Sequence, residues 1–274
     1  MHGFMGNDNP PRTLKTVERT VEVMKALKQL DGARVTELAE YLDTTPGTVY
    51  THLATLRENR YVRKRNGVYM LSLHFLNMGE YVRNHHELYI AGKDATSQLA
   101  EKTGETAHLM AEEFGLGIYL FRETNQTDIV RDFFARKTER PDYLHLSSTG
   151  KAVLAHIPRR RVREIIDQHG LPARTEHTIA DPDRLFEELD LIEEQGYALN
   201  DEEELRGARA VGAPIFDQRK EVIGAVSVSG PSGRIDDDRF YDELPDRICE
   251  TANLIGMNLE VEGYQTLTDS GTQP

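Results

Sequence analysis

The chain has a single cysteine, Cys249, in 274 residues, which excludes an intramolecular disulfide and any cysteine-rich zinc site. Its setting in an apolar C-terminal segment points to packing. No apolar run approaches the roughly 20 residues of a membrane span, and a signal-peptide core is missing, so the protein is expected in the cytoplasm. HExxH does not occur. His85 and His86 are adjacent, and neighbouring helix residues point about 100° apart, a poor arrangement for sharing a metal; neither metal nor cofactor is expected. SSTGKA carries the Gly-Lys of a phosphate loop, but His145 stands where that loop needs its first glycine and Ala152 where it needs Ser or Thr. No GxSxG surrounds Ser227 or Ser229, and Glu202, Glu203 and Glu204 read as a solvated acidic run. No catalytic residues are therefore assigned.

A length of 274 residues suggests two domains. The net charge of −13 is unevenly divided: residues 1–80 carry 11 Lys and Arg against 9 Asp and Glu, while the remainder carries 22 against 37. The acid is in the second part. Nine Lys against 24 Arg, with 46 acids, also resembles proteins of salt-accumulating organisms, whose acidic surfaces aid solubility at high ionic strength.

The basic part contains VTELAEYLDTTPGTVYTHLATLRENRYVRKRNGVYMLS, Val35 to Ser72. Val35, Leu38, Ala39 and Leu42 recur at i, i+3, i+4 and i+7, predicting a short helix with one buried face. Asp43, Thr44 and Thr45 offer capping oxygens and Pro46 suits a first helical position. A second helix therefore starts at Pro46 and buries Val49, Leu53 and Leu56. That leaves Pro46, Gly47, Tyr50, Thr51 and His52 as outward candidates for reading base edges in a major groove, with Thr45 and Thr48 placed to hold phosphates. Arg57 and the basic run Arg63, Lys64 and Arg65 follow, and Asn66-Gly67 between apolar runs is a hairpin signal. Two helices across a tight break, then a basic hairpin, form a winged helix-turn-helix. Upstream, Val17, Val21, Met24, Leu27 and Leu30 predict the first helix of the same core.

Phe75 to Leu99 continues as one long helical pattern, a candidate arm. From Thr106 onward, GLGIYLFRE, DIVRDFF, GYALN, ARAVGAPIFD and EVIGAVSVSG read as strands of a mixed sheet. Helices are expected at Thr149 to Ile157, Arg159 to His169 and Pro182 to Gln195, the last capped by Asp181, and from Asp237 to about Val261. The fold class is α+β. The boundaries are a loose 1–11, a DNA-binding domain 12–73, a linker helix 74–92, an effector domain 93–263 and a frayed 264–274.

LKTVERTVEVMKAL, VTELAEYLDTTPGTVYTHLATL, YLHLSSTGKAVLA, QGYALNDEEELRGARAVGAPIFD and VIGAVSVSGP, in this order from about Thr13 to Glu262, resemble the IclR family of transcriptional regulators. The resemblance implies a GAF-like effector domain binding small metabolites, often organic acids, a double-stranded DNA operator as partner, and assembly as a homodimer or dimer of dimers. It places the effector at Ser148, Thr149 and Gly150, at Asn200 and Asp201, at Ala210, and at Ser227 and Ser229. Many relatives have Asp at the position of Asn200 and Cys at that of Ala210, so a sugar acid or an aromatic acid stays open beside a small keto acid. The competing readings are an architectural DNA-binding protein without a ligand and a metabolite-processing enzyme.

Overall fold

The computed structural model describes residues 12–124 and 142–269, and the chain divides into two units between Val82 and Arg83. The expected strand DIVRDFF lies outside the described residues.

The first unit holds α1 (Lys15–Gln29), α2 (Val35–Tyr41), α3 (Pro46–Glu58), the hairpin β1 (Val62–Arg65) and β2 (Val68–Leu71), and most of α4 (His74–Asn84). Thr45 caps α3 by accepting from the Thr48 amide at 3.2 Å, with Pro46 in the first turn. At the hairpin tip Asn66 and Gly67 both have positive φ, 51° and 83°, the type I′ geometry that matches strand twist. Ala33 and Tyr69 exchange two backbone hydrogen bonds at 2.9 and 2.8 Å, which ties the hairpin to the helices. Val23, Leu27, Leu38, Val49, Leu53, Leu56 and Tyr69 close the core.

Two expectations change here. The buried face of α1 is Val23, Ala26 and Leu27; Val17, Val21 and Leu30 are exposed. At 100° per residue Val21 and Val23 lie on opposite sides, so α1 has two apolar faces, and periodicity alone does not say which one the unit covers. The expected long arm is two helices: α4 ends at Asn84 and α5 (Glu87–Thr103) begins after His86, whose backbone is extended at φ −83°, ψ 120°. Asn and His are weak helix formers, and Glu87 gives the new helix an acid in its first turn.

The second unit contains β3 (Thr106–Glu113), β4 (Leu116–Glu123), β5 (Asp142–Tyr143), a 3-10 turn (Leu144–Leu146), α6 (Ser148–His156), α7 (Arg159–His169), α8 (Pro182–Gln195), β6 (Ala198–Asp201), β7 (Ala208–Phe216) and β8 (Val222–Pro231). A π-helical turn (Arg239–Glu243) leads into α9 (Leu244–Asp269), which continues beyond the expected end near Val261. Strand order is β5-β4-β3-β8-β7-β6. Every pairing is antiparallel, where a mixed sheet was expected. Apolar alternation reports burial and carries no information on strand direction; here the helical segment α6–α8 joins opposite sheet edges, so no parallel neighbours arise.

Alternation assigns the two faces. Leu109, Val211, Ala213, Val226 and Val228 meet Leu88 and Leu99 of α5 and Ile248 and Ile255 of α9. Met110 and Ala225 meet Val153 and Leu154 of α6, with Val162, Ile165, Leu185 and Leu189 behind them. Within the second layer Lys151 is fully buried, its Nζ donating to Glu203 at 2.6 Å and Glu188 at 2.8 Å. Glu203 and Glu204, expected in a solvated run, are both buried, because their partners Lys151 and Arg174 come from distant parts of the chain.

Burial pushes the Glu203 carboxyl above the ordinary range, and Lys151 opposes that shift. Lys151→Met should cost about 3–5 kcal/mol by stranding the buried Glu203 carboxylate. Glu203 would then bind its proton more tightly when folded than when unfolded. The deficit should be smallest below the ordinary glutamate pKa and grow as pH rises through the raised folded value. Urea unfolding at a series of pH values checks this; a deficit independent of pH would contradict it.

Candidate DNA-binding surface and effector cleft

On α3, Pro46, Gly47, Thr48, Tyr50 and Thr51 are exposed, with Thr45 just before them and Arg57 near the far end. The Thr51 hydroxyl donates to the Gly47 carbonyl at 3.0 Å, leaving its methyl as the outward apolar group. His52 departs from the set: it is half-buried, and its Nδ1 engages the Thr20 hydroxyl of α1 at 2.8 Å. On the wing, Arg63 and Arg65 share one side of β1 and Lys64 the other, where its ammonium lies 4.9 Å from the Tyr69 ring centroid. Sequence reading missed Arg34. It is exposed before α2, and its guanidinium packs so closely on the wing tip that a Cβ at Gly67 would come within 2.8 Å; no local pattern marks it, because the two residues meet only in the fold.

The cleft of the second unit grows from two rows across the sheet. Asn200, Ala210, Ser229 and Thr106 are aligned in register, and beside them Ala198, Gly212, Ser227 and His108. The start of α6 rests over the second row because Gly212 has no side chain: a Cβ there would meet the Ser148 and Thr149 backbone at 2.8 and 2.9 Å. The small space left is lined by Ser147, Ser148 and Thr149 from the helix start, by His108, Tyr119, Asn200, Ala208, Arg209, Ala210, Ser227 and Ser229 from the sheet, and by Glu204 and Leu205 between β6 and β7.

Ser147 caps α6 through the Gly150 amide at 3.1 Å. Among the described residues the amides of Ser148 and Thr149 have no hydrogen-bond partner. They are the free donors of a helix start, where the backbone dipole favours negative charge. His108 Nε2 and the Ser229 hydroxyl are 2.9 Å apart, and Tyr119 stacks edge-on against His108 at 5.4 Å. The Asn200 amide donates to the Leu146 carbonyl at 2.6 Å, a bond that an ionised Asp cannot make.

Six of the eight positions expected to hold an effector line this cleft. Gly150 stands behind it, packed on the Leu144 backbone, and Asp201 is turned to Arg209, which grips it through Nε at 2.8 Å and Nη2 at 3.2 Å. Asp201 and Asp237 raise the Arg209 pKa further above its already high ordinary value. His108 and Arg209 were not anticipated. Alternation from Thr106 could have placed His108 beside Thr106 on one face, but not named its cross-strand neighbour.

A winged helix-turn-helix in one unit and a polar cleft in the other are the build of a ligand-responsive transcription factor. Residues 16–66 match the IclR helix-turn-helix domain and residues 80–257 the bacterial transcriptional regulator IclR C-terminal domain. The probable HTH-type transcriptional regulator ArcR of Halobacterium salinarum is 36% identical over 93% of this chain and 97% of its own. Among solved structures, the Thermotoga maritima IclR superposes with TM-score 0.69 at 25% identity, covering 90% of this chain and 99% of its own. An IclR homologue of Microbacterium hydrocarbonoxydans complexed with 4-hydroxybenzoate gives 0.73 at 18%, covering 90% and 99%. The chain belongs to the IclR family. It is a sequence-specific DNA-binding transcriptional regulator controlled by a small-molecule effector.

Gly212→Val should force the start of α6 off β7 and close the cleft, at about 1–3 kcal/mol of stability for the overpacking. Small acids that raise the melting temperature of the wild type should leave this variant unmoved; an undiminished shift would show that the cleft is not where they bind.

Proposed function

We propose that the protein is a cytoplasmic, homodimeric regulator without catalytic activity, whose effector is a small organic acid held by its carboxylate on the Ser148 and Thr149 amides. The observation that carries this reading is the pair of unpaired first-turn amides opening into the cleft. Ser227 and the His108–Ser229 pair supply hydroxyl and ring nitrogen for a second polar group. The 4-hydroxybenzoate of the Microbacterium homologue is consistent with an acid as ligand. Domain boundaries at 12–73 for DNA binding, 74–92 for the link and 93–263 for effector binding follow from the same reading.

Dimerisation is supported by apolar surface on the first unit. Leu14 before α1 and Val17 and Val21 on it are exposed along one face, and α4 buries none of its residues while exposing Leu76, Tyr81 and Val82. Such faces mark association sites on soluble proteins. A dimer would set two α3 helices into successive major grooves about one helical turn apart. Among the described residues, no helix is long and apolar enough to cross a membrane. The acidic excess outside residues 1–80 fits a protein working at high salt, where counterion release contributes less to DNA affinity.

Thermal melts in the presence of matched acids and amides test the effector. Glycolate, pyruvate or 4-hydroxybenzoate at about 100 times its Kd should add about 2.7 kcal/mol, whereas the corresponding amide should add much less. Equal shifts would remove the carboxylate from the proposal.

On DNA, Arg63→Ala with Arg65→Ala should weaken binding to operator and scrambled duplex alike and flatten the salt slope by about 2. Thr51→Ala should instead change base preference with the slope intact. Fluorescence anisotropy across a salt series separates the two, and an unaltered slope in the double variant would take the wing off the phosphates.

A further inference from the structure

We propose that Arg34 is the side chain that the wing carries into a minor groove, where its guanidinium senses groove width and gives this regulator a preference for A·T-rich DNA beside the bases that α3 reads. This rests on the reading of the β1–β2 hairpin as a wing that approaches the duplex.

Residues 32–34 run alongside β2 as a third strand of the wing. Ala33 and Tyr69 form an antiparallel bridge, and the backbone of Arg34 is still extended, at φ −80° and ψ 162°. The same register sets Arg34 opposite Val68, which pairs on its other side with Arg65 of β1. Side chains in one row of a sheet share a face, and burial agrees. Ala33 and Tyr69 are buried on one face, with the Lys64 ammonium at the Tyr69 ring, whereas Arg34, Arg63 and Arg65 are exposed. A Cβ at Gly32 would meet the side chains of Met70 and Val68 at 2.7 and 3.4 Å, as positions 32 and 34 must on that face. From this row the Arg34 side chain lies over Gly67, whose missing side chain leaves it a seat on the tip.

The tip residues Asn66 and Gly67 are uncharged, so the cation that rests on the tip itself comes from Arg34. Among the described residues its guanidinium has no carboxylate partner; Glu37, the nearest acid in sequence, accepts instead from the Arg34 backbone amide at 2.6 Å. Arg65 stands in the same row two strands away, roughly 10 Å at the usual strand spacing, placed for the phosphates that wall a groove. A helix in the major groove has a minor groove beside it along the duplex, about 6 Å wide, which admits a two-residue tip and excludes a broad loop. A·T tracts narrow that groove and strengthen its negative potential, which attracts arginine, and a guanidinium sheds water more readily than an ammonium. Guanine places an amino group on the groove floor, so the field sensed there separates A·T from G·C. Arg34 enters it without giving up an internal ion pair.

The test uses the full-length protein and a duplex that the wild type selects from a random pool, rebuilt with the base pairs flanking the recognised core as A·T, as G·C or as I·C, inosine being guanine without its minor-groove amino group. By fluorescence anisotropy the wild type should bind the A·T and I·C duplexes about five-fold more tightly than the G·C duplex; a major-groove reader would treat I·C as G·C. Arg34→Ala should bind all three alike, at the level of the wild type on G·C. Arg34→Lys should keep the salt slope and lose most of the flank preference. Gly67→Asn places a residue that tolerates the left-handed backbone while its Cβ displaces the guanidinium, and it should lose the preference with every charge in place. Equal affinity of the wild type for the three flanks, or a preference that survives Arg34→Ala, would overturn the proposal. So would a loss in Arg34→Ala that is uniform over the flanks with the salt slope reduced by about 1, the mark of a phosphate contact. If Arg63→Ala with Arg65→Ala left the slope unaltered, the wing reading would fall and Arg34 with it, whereas a flattened slope beside an indifferent Arg34 would sink only the minor-groove contact.

Discussion

The start of α6 lies on the backbone of β7 at Gly212 with no side chain between them, and the geometry of the second unit follows from that approach. The close seat brings the Ser148 and Thr149 amides down to the level of the sheet hydroxyls, so that one ligand can touch backbone donors and side chains at once. A bulkier residue would lift the helix and separate these groups. Asn200 of the neighbouring strand fixes the approach to the same helix by holding the carbonyl of Leu146 in the turn before it. The cleft is therefore a property of packing before it is a property of chemistry, with the polar groups positioned by contacts that are themselves mostly apolar.

Buried charge serves the rim in a different way. Lys151 of α6 meets Glu203, and Arg174 bridges Glu204 and Asp142 at 3.2 Å each. The hydroxyls of Thr175 and Thr178 donate to the backbone of Glu202 and Glu203 at 2.8 and 2.6 Å. Taking such charges from water is costly, and apolar replacements often match them for stability. What they provide is a single position for the segment 202–205, which contributes Glu204 and Leu205 to the cleft.

Local signals made much of this legible. The capped start at Thr45-Pro46, the stripe Val49, Leu53 and Leu56, and the Asn-Gly tip of the wing are each decided within a few residues, and each stands in the structure where the sequence puts it. The departures share a cause: they depend on what a residue meets from far away. His52 turns to Thr20 across 32 positions, Glu203 finds Lys151 across 52, and Arg34 meets Gly67 only when the hairpin folds back. Two opposite apolar faces on α1 are visible as a pattern, but choosing between them needs the neighbouring helices. For the cleft, alternation gave Ser227 and Ser229 a common face, whereas His108 joined them through a strand register that no spacing reveals.

The buried ion pairs around residues 202–205 also divide the molecule by its response to dissolved salt. Screening acts through solvent, over about 3 Å at molar ionic strength, and reaches buried pairs far less than exposed ones. The Lys151–Glu203 pair is out of that reach, while Arg63 and Arg65 stand fully in it. The segment that lends Glu204 and Leu205 to the cleft is thus held constant across salinities that screen the charges of the wing. The same chain carries a salt-insensitive cleft in one unit and a salt-sensitive basic hairpin in the other.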